Sequence, residues 1–250
     1  MKTLYDQLTS KINGEISLDE KTLLQYSHDA SIYELVPSAV IHPKNTKDVE
    51  RIVSFVSSQK AAYPSLAITP RSAGTDMSGA AIGNSLVLDM TTHFNAIKKL
   101  EGALLHVEPG VFMRDIDPLL AQHDLMLGSV PASRALCTIG GMVGNNSGGE
   151  QSLRYGNTQR WVREITVVLG DGKAYVVKPL TKRQLDAKIA QDTYEGRLYE
   201  RIYQLIEANY DLIKNARPKV NKNSMGYNLW DVWDRGTQIF DLTHLFSGSQ

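Results

Sequence analysis

Two clusters of glycine constrain this chain more than any other feature. The first, PRSAGTDMSGAAIG at residues 70–83, and the second, CTIGGMVGNNSGG at residues 137–149, together hold eight of the 19 glycines, and each follows an apolar or strand-like run. Glycine permits φ > 0 and lets the backbone come close to a ligand, so that successive N–H groups can converge on one anion. A diphosphate is the commonest such anion. Neither cluster has the closing Lys and Ser/Thr of a P-loop, and neither has G-x-G-x-x-G spacing, so nucleotide hydrolysis and NAD-type binding lose ground. Tight turns alone would account for one such cluster, but two in one chain favour a ligand.

The chain's 250 residues suffice for one large or two modest domains with a real apolar core. Lys plus Arg and Asp plus Glu are 27 each, which removes the electrostatic pull toward phosphate backbones that a basic domain would show, so nucleic acid is not an expected partner. The opening MKTLYDQLTSKINGE is charged throughout, and no later apolar run reaches membrane-spanning length. A cytoplasmic chain is expected, with peripheral attachment to the inner face of a membrane left open. Cys137 is the only cysteine, which excludes an internal disulfide and a multi-Cys metal site, and the six histidines form no metal-binding pair. No metal is expected.

Leu4, Leu8 and Ile12 fall on one helical stripe, and a second helix is expected after Thr46 with Val49, Ile52, Val53 and Val56. Residues 66–69, 85–90 and 103–109 read as strands. VFMRDIDPLLAQHD reads as a helix whose regular part begins at Pro118, because Pro suits a first turn. VREITVVLGDGKAYVVK reads as a β-hairpin turning at Gly170, Asp171 and Gly172. Residues 181–214 return to helix, with Leu198, Ile202, Leu205 and Ile206 as the buried stripe. The pattern is α+β (α/β), changing from parallel-type to hairpin-type strands near residue 110, which suggests two subdomains.

The runs PRSAGTDMSG, EPG (108–110), GSVPAS (128–133), CTIGGMVGNNSGG and RYG stand in the order seen in one family. The chain resembles the FAD-binding PCMH-type domain, also called the vanillyl-alcohol oxidase type. YSHDAS (26–31), VLGDG (168–172), MGYNL (225–229) and DLTHLFSGSQ (241–250) look closest to its D-lactate dehydrogenase and glycolate oxidase D-subunit branch. The resemblance implies an N-terminal helical segment over 1–35 and a FAD-binding domain over 36–250. Its subdomains would span about 36–110, parallel-type, and 111–250, a mainly antiparallel sheet flanked by helices, with FAD extended between them.

By matching positions, the resemblance implies a diphosphate loop of Arg71, Ser72, Ala73, Gly74, Thr75 and Asp76, with Ser78 beside it. Arg71 would contact a phosphate or cap a neighbouring carbonyl. Asp76 would offer its backbone N–H rather than its carboxylate, since like charges repel. The second segment would run beside the ribityl chain and isoalloxazine ring, with Cys137, Thr138, Asn145, Asn146 and Ser147 as contacts and Gly140, Gly141, Gly144 and Gly148 giving close approach. Pro131 and Tyr155 complete the set. Cys137 reads as a small buried apolar residue rather than a reactive thiol.

Relatives that attach flavin through histidine carry a His in the first loop, where this chain has Gly74, Thr75 and Asp76, so non-covalent FAD is expected. Relatives also continue past a GSEGTLG-like run into a substrate-binding cap, whereas this sequence stops at Gln250; a C-terminal truncation is expected, and no catalytic residue is assigned. The implied function is the flavin-binding part of an oxidoreductase acting on a 2-hydroxy acid such as D-lactate or glycolate, with an unspecified electron acceptor and with a partner subunit or cap completing the site. A relative acting on another alcohol, or a non-catalytic flavin-binding subunit, is the alternative.

Overall fold

The computed structural model describes residues 2–220, 223 and 226–249; Met225 of the MGYNL run and Gln250 lie outside the described residues. The chain divides into two compact units. One comprises Met1–Leu127, Pro131–Met142 and Val168–Ala174, and the other Gly128–Val130, Val143–Val167 and Tyr175–Gln250.

The first unit opens with α1 (Lys2–Thr9), β1 (Glu15–Ser17), α2 (Glu20–Gln25), β2 (Ala39–His42) and α3 (Thr46–Gln59), followed by β3 (Ile68–Arg71) and β4 (Leu86–Asp89). The 1–35 stretch expected to be helical thus also supplies a strand. Asn45 caps α3 by accepting from the Asp48 N–H at 3.1 Å, and the buried Asp48 carboxylate accepts from the N–H groups of Asn13 and Lys44. The strands run in the order β1-β2-β4-β3; β2, β4 and β3 are parallel, and β1 is an antiparallel edge. Parallel strands carry a crossover element between them and bury both faces, which is why AVI and LVL are unbroken apolar runs rather than alternating ones. Leu8, Ile41, Ile52, Leu86 and Leu88 form the heart of the core, each side chain stabilising the fold by about 1.5–3 kcal/mol.

β5 (Ile97–Glu101) and β6 (Leu104–Val107), the expected strand at 103–109, pair with each other in a separate antiparallel ladder. α4 (Met113–Ala121) starts five residues before Pro118, so the proline sits inside the helix rather than opening it. Burial of Met113, Ile116 and Leu120 sets that start and outweighs the one backbone bond that Pro removes. α5 (Ile139–Gly144) carries the first half of the second glycine cluster, and α6 (Ser152–Tyr155) follows it.

β7 (Ile165–Val168) and β8 (Ala174–Val177) form the expected two-stranded ladder, with Gly172 at φ +73° in its turn. β9 (Leu180–Thr181), α7 (Lys182–Ile189), α8 (Tyr194–Ala208), α9 (Tyr210–Asn215), β10 (Trp233–Asp234), β11 (Ile239–Phe240) and α10 (Thr243–Phe246) complete the chain. β10, β11 and β9 form a small antiparallel sheet against which α7 and α8 pack. The buried face of α8 is rotated from the expected stripe: Leu205 is exposed, while Tyr199 and Ile206 are buried with Ile202 and Tyr203 beside them. Aromatic partners decide this, since Tyr199 lies 5.8 Å from Phe240 and Tyr203 lies 5.5 Å from Trp233.

Candidate functional site

In an open parallel sheet, ligands bind beyond the carboxyl ends of the strands, and both features of the first unit that matter lie there. His42, Arg71 and Asp89 end β2, β3 and β4, and the first glycine cluster leaves directly from Arg71. Asp89 is buried. Its carboxylate accepts from the Tyr26 hydroxyl, from the Thr91 hydroxyl at 2.7 Å and from the Thr92 hydroxyl at 3.1 Å, with His42 Nδ1 at 3.5 Å. Burial opposes its ionisation, but the His42, Tyr26 and Thr91 donors outweigh burial and hold the carboxyl well below its usual range. Burial together with the Asp89 charge pushes the Tyr26 phenol up.

Arg71 turns inward, which is the second of the two uses expected of it. Its guanidinium donates to the carbonyls of Tyr26 at 3.3 Å and Ala81 at 3.4 Å and lies 5.2 Å from the centre of the Tyr26 ring. It thereby ties the loop's two ends to the 26–34 segment, which also donates the Ala30 N–H to the Gly74 carbonyl at 3.0 Å. Asp76 Oδ2 accepts from the Ser78 N–H, the Ser78 hydroxyl and the Ala80 N–H, so the loop's one carboxylate is satisfied within the loop. Between these anchors Ser72, Ala73, Gly74 and Thr75 carry only small side chains. Gly74 has φ +66°, a left-handed conformation that disfavours any residue with a Cβ.

The second cluster is built differently. Thr138 is buried, and its hydroxyl accepts from the Gly141 N–H at 3.3 Å at the start of α5. Gly140 donates its N–H to the Pro109 carbonyl at 2.7 Å, and a Cβ on it would lie 2.6 Å from the Pro109 Cβ. A Cβ on Gly141 would lie 3.5 Å from that of Ser72, so the two glycine clusters meet within the first unit. Cys137 is buried with its thiol pushed up by burial, the state of an inert packing residue.

Gly144, Asn145, Asn146, Ser147, Gly148 and Tyr155 belong to the second unit. Asn145 is exposed, whereas Asn146 and Ser147 are buried. Asn146 sits at φ +44°, which costs a non-glycine residue about 1 kcal/mol. Tyr155 is half-buried, with its ring 6.1 Å from Trp161 and under Arg154. Pro131 lies half-buried in the connection after Ser129. Among the described residues no group of His, Cys, Asp or Glu could hold a metal ion, and no helix is long and apolar enough to cross a membrane.

Residues 37–178 match the family model for the FAD binding domain, more than half of the sequence. The chain belongs to the FAD binding domain family. Of its relatives, D-2-hydroxyglutarate dehydrogenase of Escherichia coli K12 is 31% identical over 95% of this chain and 23% of that protein. Glycolate oxidase subunit GlcD of Bacillus subtilis 168 is 33% identical over 68% of this chain and 36% of that protein. Alkyldihydroxyacetonephosphate synthase shares the fold, with a TM-score of 0.61 at 17% identity over 71% of this chain and 35% of that one. The chain thus spans about a quarter to a third of the length of these relatives.

The observed loops suit the group this family binds. The first offers a run of small residues and turns its one carboxylate onto donors of the loop itself, leaving the Ser72–Thr75 backbone clear of large side chains; the second brings the Gly141 backbone against Ser72 with no side chain between. Sequence reasoning gave no role to Tyr26, Asp89, Gln159 or Asn228, although Tyr26 and Asn228 lie in the YSHDAS and MGYNL runs. Asp89 carried one signal, a charged residue closing the otherwise apolar run LVLD; Gln159 carried none.

Proposed function

We propose that this FAD binding domain is the flavin-binding portion of an oxidoreductase that oxidises a 2-hydroxy acid to the 2-oxo acid. The meeting of the two glycine clusters at Ser72 and Gly141 carries the cofactor half of this reading. The substrate half is supported by relatives named for D-2-hydroxyglutarate and glycolate, which share a carboxylate next to a CH–OH carbon. D-Lactate belongs to the same chemical class. When bound, flavin supplies the two-electron acceptor for the hydride equivalent leaving that carbon.

This chain's own residues bind and orient. The amides of Ser72, Ala73, Gly74 and Thr75 would hold the diphosphate, with Arg71 and Asp76 shaping the loop from either end. In the first unit Thr138, Gly140 and Gly141 would line the approach to the rest of the cofactor; Asn146, Ser147 and Gly148, in the second, are further contacts that the family resemblance implies. Attachment is non-covalent in this reading, because the first loop offers no histidine and the Cys137 thiol is buried. The name of the Bacillus relative as a subunit favours completion of the substrate site by further protein.

The test is reconstitution with FAD, followed by acid precipitation. A flavin spectrum in the reconstituted protein, with the yellow colour released to the supernatant, is expected. Colour retained in the pellet would sink the non-covalent assignment, and a protein that takes up no FAD would sink the reading as a whole.

A further inference from the structure

Ser147 presents one carbonyl to three donors: the Ser129 hydroxyl at 3.0 Å, the Thr158 hydroxyl at 2.8 Å and the Thr158 N–H at 2.9 Å. Its neighbour Asn146 is held as firmly. The Gln159 N–H donates to Asn146 Oδ1 at 3.0 Å, while Asn146 Nδ2 donates to Gln159 Oε1 at 2.8 Å, closing a two-point pairing. Asn228 Nδ2 donates to the same Oε1 at 2.6 Å, and Gln159 Nε2 donates to Asp231 Oδ2 at 3.1 Å. Only one orientation of the Gln159 amide is compatible with this set, because a carboxylate can only accept and must face the nitrogen. Asn146 and Asn228 are both almost wholly buried, so these bonds are not exchanged for water. All of these residues lie in the second unit.

The arrangement settles a backbone direction. In a trans peptide the C=O of one residue and the N–H of the next point opposite ways. Three donors on the Ser147 carbonyl therefore aim the Gly148 N–H away from Thr158. Asn146, left-handed and buried, cannot relax this direction while Gln159 grips both ends of its amide.

We propose that Gln159, with Thr158, is a positioning residue for the flavin: the turn of 3-10 helix at Thr158–Arg160 clamps Asn146 and Ser147 and so presents the second glycine cluster in its binding conformation. This rests on the reading of the site as a flavin site. Neither side chain touches the cofactor in this role; each acts through the backbone of residues 146–148.

The test compares the parent protein with Gln159→Leu, Thr158→Val and the double variant Q159E/D231N. Gln159→Leu keeps the bulk but strands two buried amide donors, and a weakening of FAD binding of about tenfold is expected by fluorescence titration, with the far-UV circular dichroism of the apo form unchanged. The visible circular dichroism of bound flavin, which reports how the ring is seated, should change as well. The double variant reverses the polarity of one bond. Its carboxylate at position 159 accepts from Asn146, from Asn228 and from the amide introduced at position 231, so it should recover parental affinity to within a few-fold. A purely structural role for Gln159 would leave the visible dichroism of the bound flavin as in the parent.

Parental affinity in Gln159→Leu, or a loss that the double variant does not recover, overturns the proposal. If Gln159→Leu fails to fold, Thr158→Val decides, with several-fold weaker binding expected and unchanged binding fatal. A parent that binds no FAD overturns the flavin reading and this inference together, whereas a parent and a Gln159→Leu that bind alike overturn this inference alone.

Discussion

The two glycine clusters expose backbone by opposite means. In the first, the glycine is conformational: Gly74 at φ +66° bends an irregular loop whose shape is kept by side chains, with Arg71 tied to the Tyr26 and Ala81 carbonyls and Asp76 gathering three donors. In the second, Gly140, Gly141 and Gly144 lie in a helix, where Gly140 is small because Pro109 leaves no room and Gly141 faces Ser72 at ordinary contact distance. The left-handed turn there falls to Asn146 instead. Composition makes the clusters look alike, but one uses glycine for its dihedral freedom and the other for its size. Substituting each glycine should therefore produce different failures.

The largest effect is expected from Gly140→Val. A Cβ there would meet the Pro109 Cβ at 2.6 Å and the Pro109 carbonyl oxygen at 2.9 Å, and backbone cannot swing aside as a flexible side chain can. Overpacking of this kind costs about 3 kcal/mol, and the loss should appear in urea denaturation of the protein without FAD. Undiminished stability would show that the 139–144 helix shifts freely against residue 109, and the size argument for this cluster would fall.

Gly74→Val should do less to stability and more to binding. The left-handed conformation costs a residue with a Cβ about 1–2 kcal/mol, and the added carbon would sit 2.5 Å from the Arg71 Nη2, which is the end of a flexible side chain and can move. Movement of Arg71 releases its hold on the Tyr26 and Ala81 carbonyls, so the loop loses its shape while the sheet beneath it keeps its core. FAD affinity should fall about tenfold or more by titration, a change worth about 1.4 kcal/mol per decade. If affinity held and stability collapsed, the two clusters would not differ in the way the geometry says.

Much of this was legible in the residues. Two of the parallel strands announced themselves in the LAIT and SLVLDM runs, though β2 at Ala39–His42 was not read; the hairpin showed as β-branched stretches around GDG, and the glycine clusters by position alone. What was hidden depended on partners far away in the chain. β1 is three residues long and β9, β10 and β11 are two each, too short to carry a period. The face of α8 differs from the expected one because an aliphatic stripe leaves out tyrosines, although Tyr199 and Tyr203 pack on Phe240 and Trp233. Pro118 looks like a first-turn residue because burial of Met113 and Ile116 cannot be seen locally. At the site, the small residues of the loops were readable. The side chains that hold them were not, since Tyr26 meets Asp89 across 63 positions and Asn228 meets Gln159 across 69.

The smallest effect, and the most discriminating, is expected from Gly141→Ala. The nearest atoms to the new methyl would be the Ser72 Cβ and the Thr138 Oγ1, both at 3.5 Å, and the backbone there is not left-handed. Nothing in the protein itself therefore demands glycine at this position, and in a helix alanine is favoured over glycine by up to about 1 kcal/mol. The apo protein should melt at the same temperature or slightly higher. A ligand running past the 139–144 helix would feel the methyl instead, so the rise in melting temperature that saturating FAD produces should shrink, because that rise measures affinity for the folded state. Thermal unfolding with and without FAD reads both quantities in one experiment. Opposite signs in the two arms would mean that Gly141 is kept small for the cofactor, as Gly140 is kept small for Pro109. An unchanged FAD-induced shift would mean that the second cluster ends its approach to the flavin before residue 141.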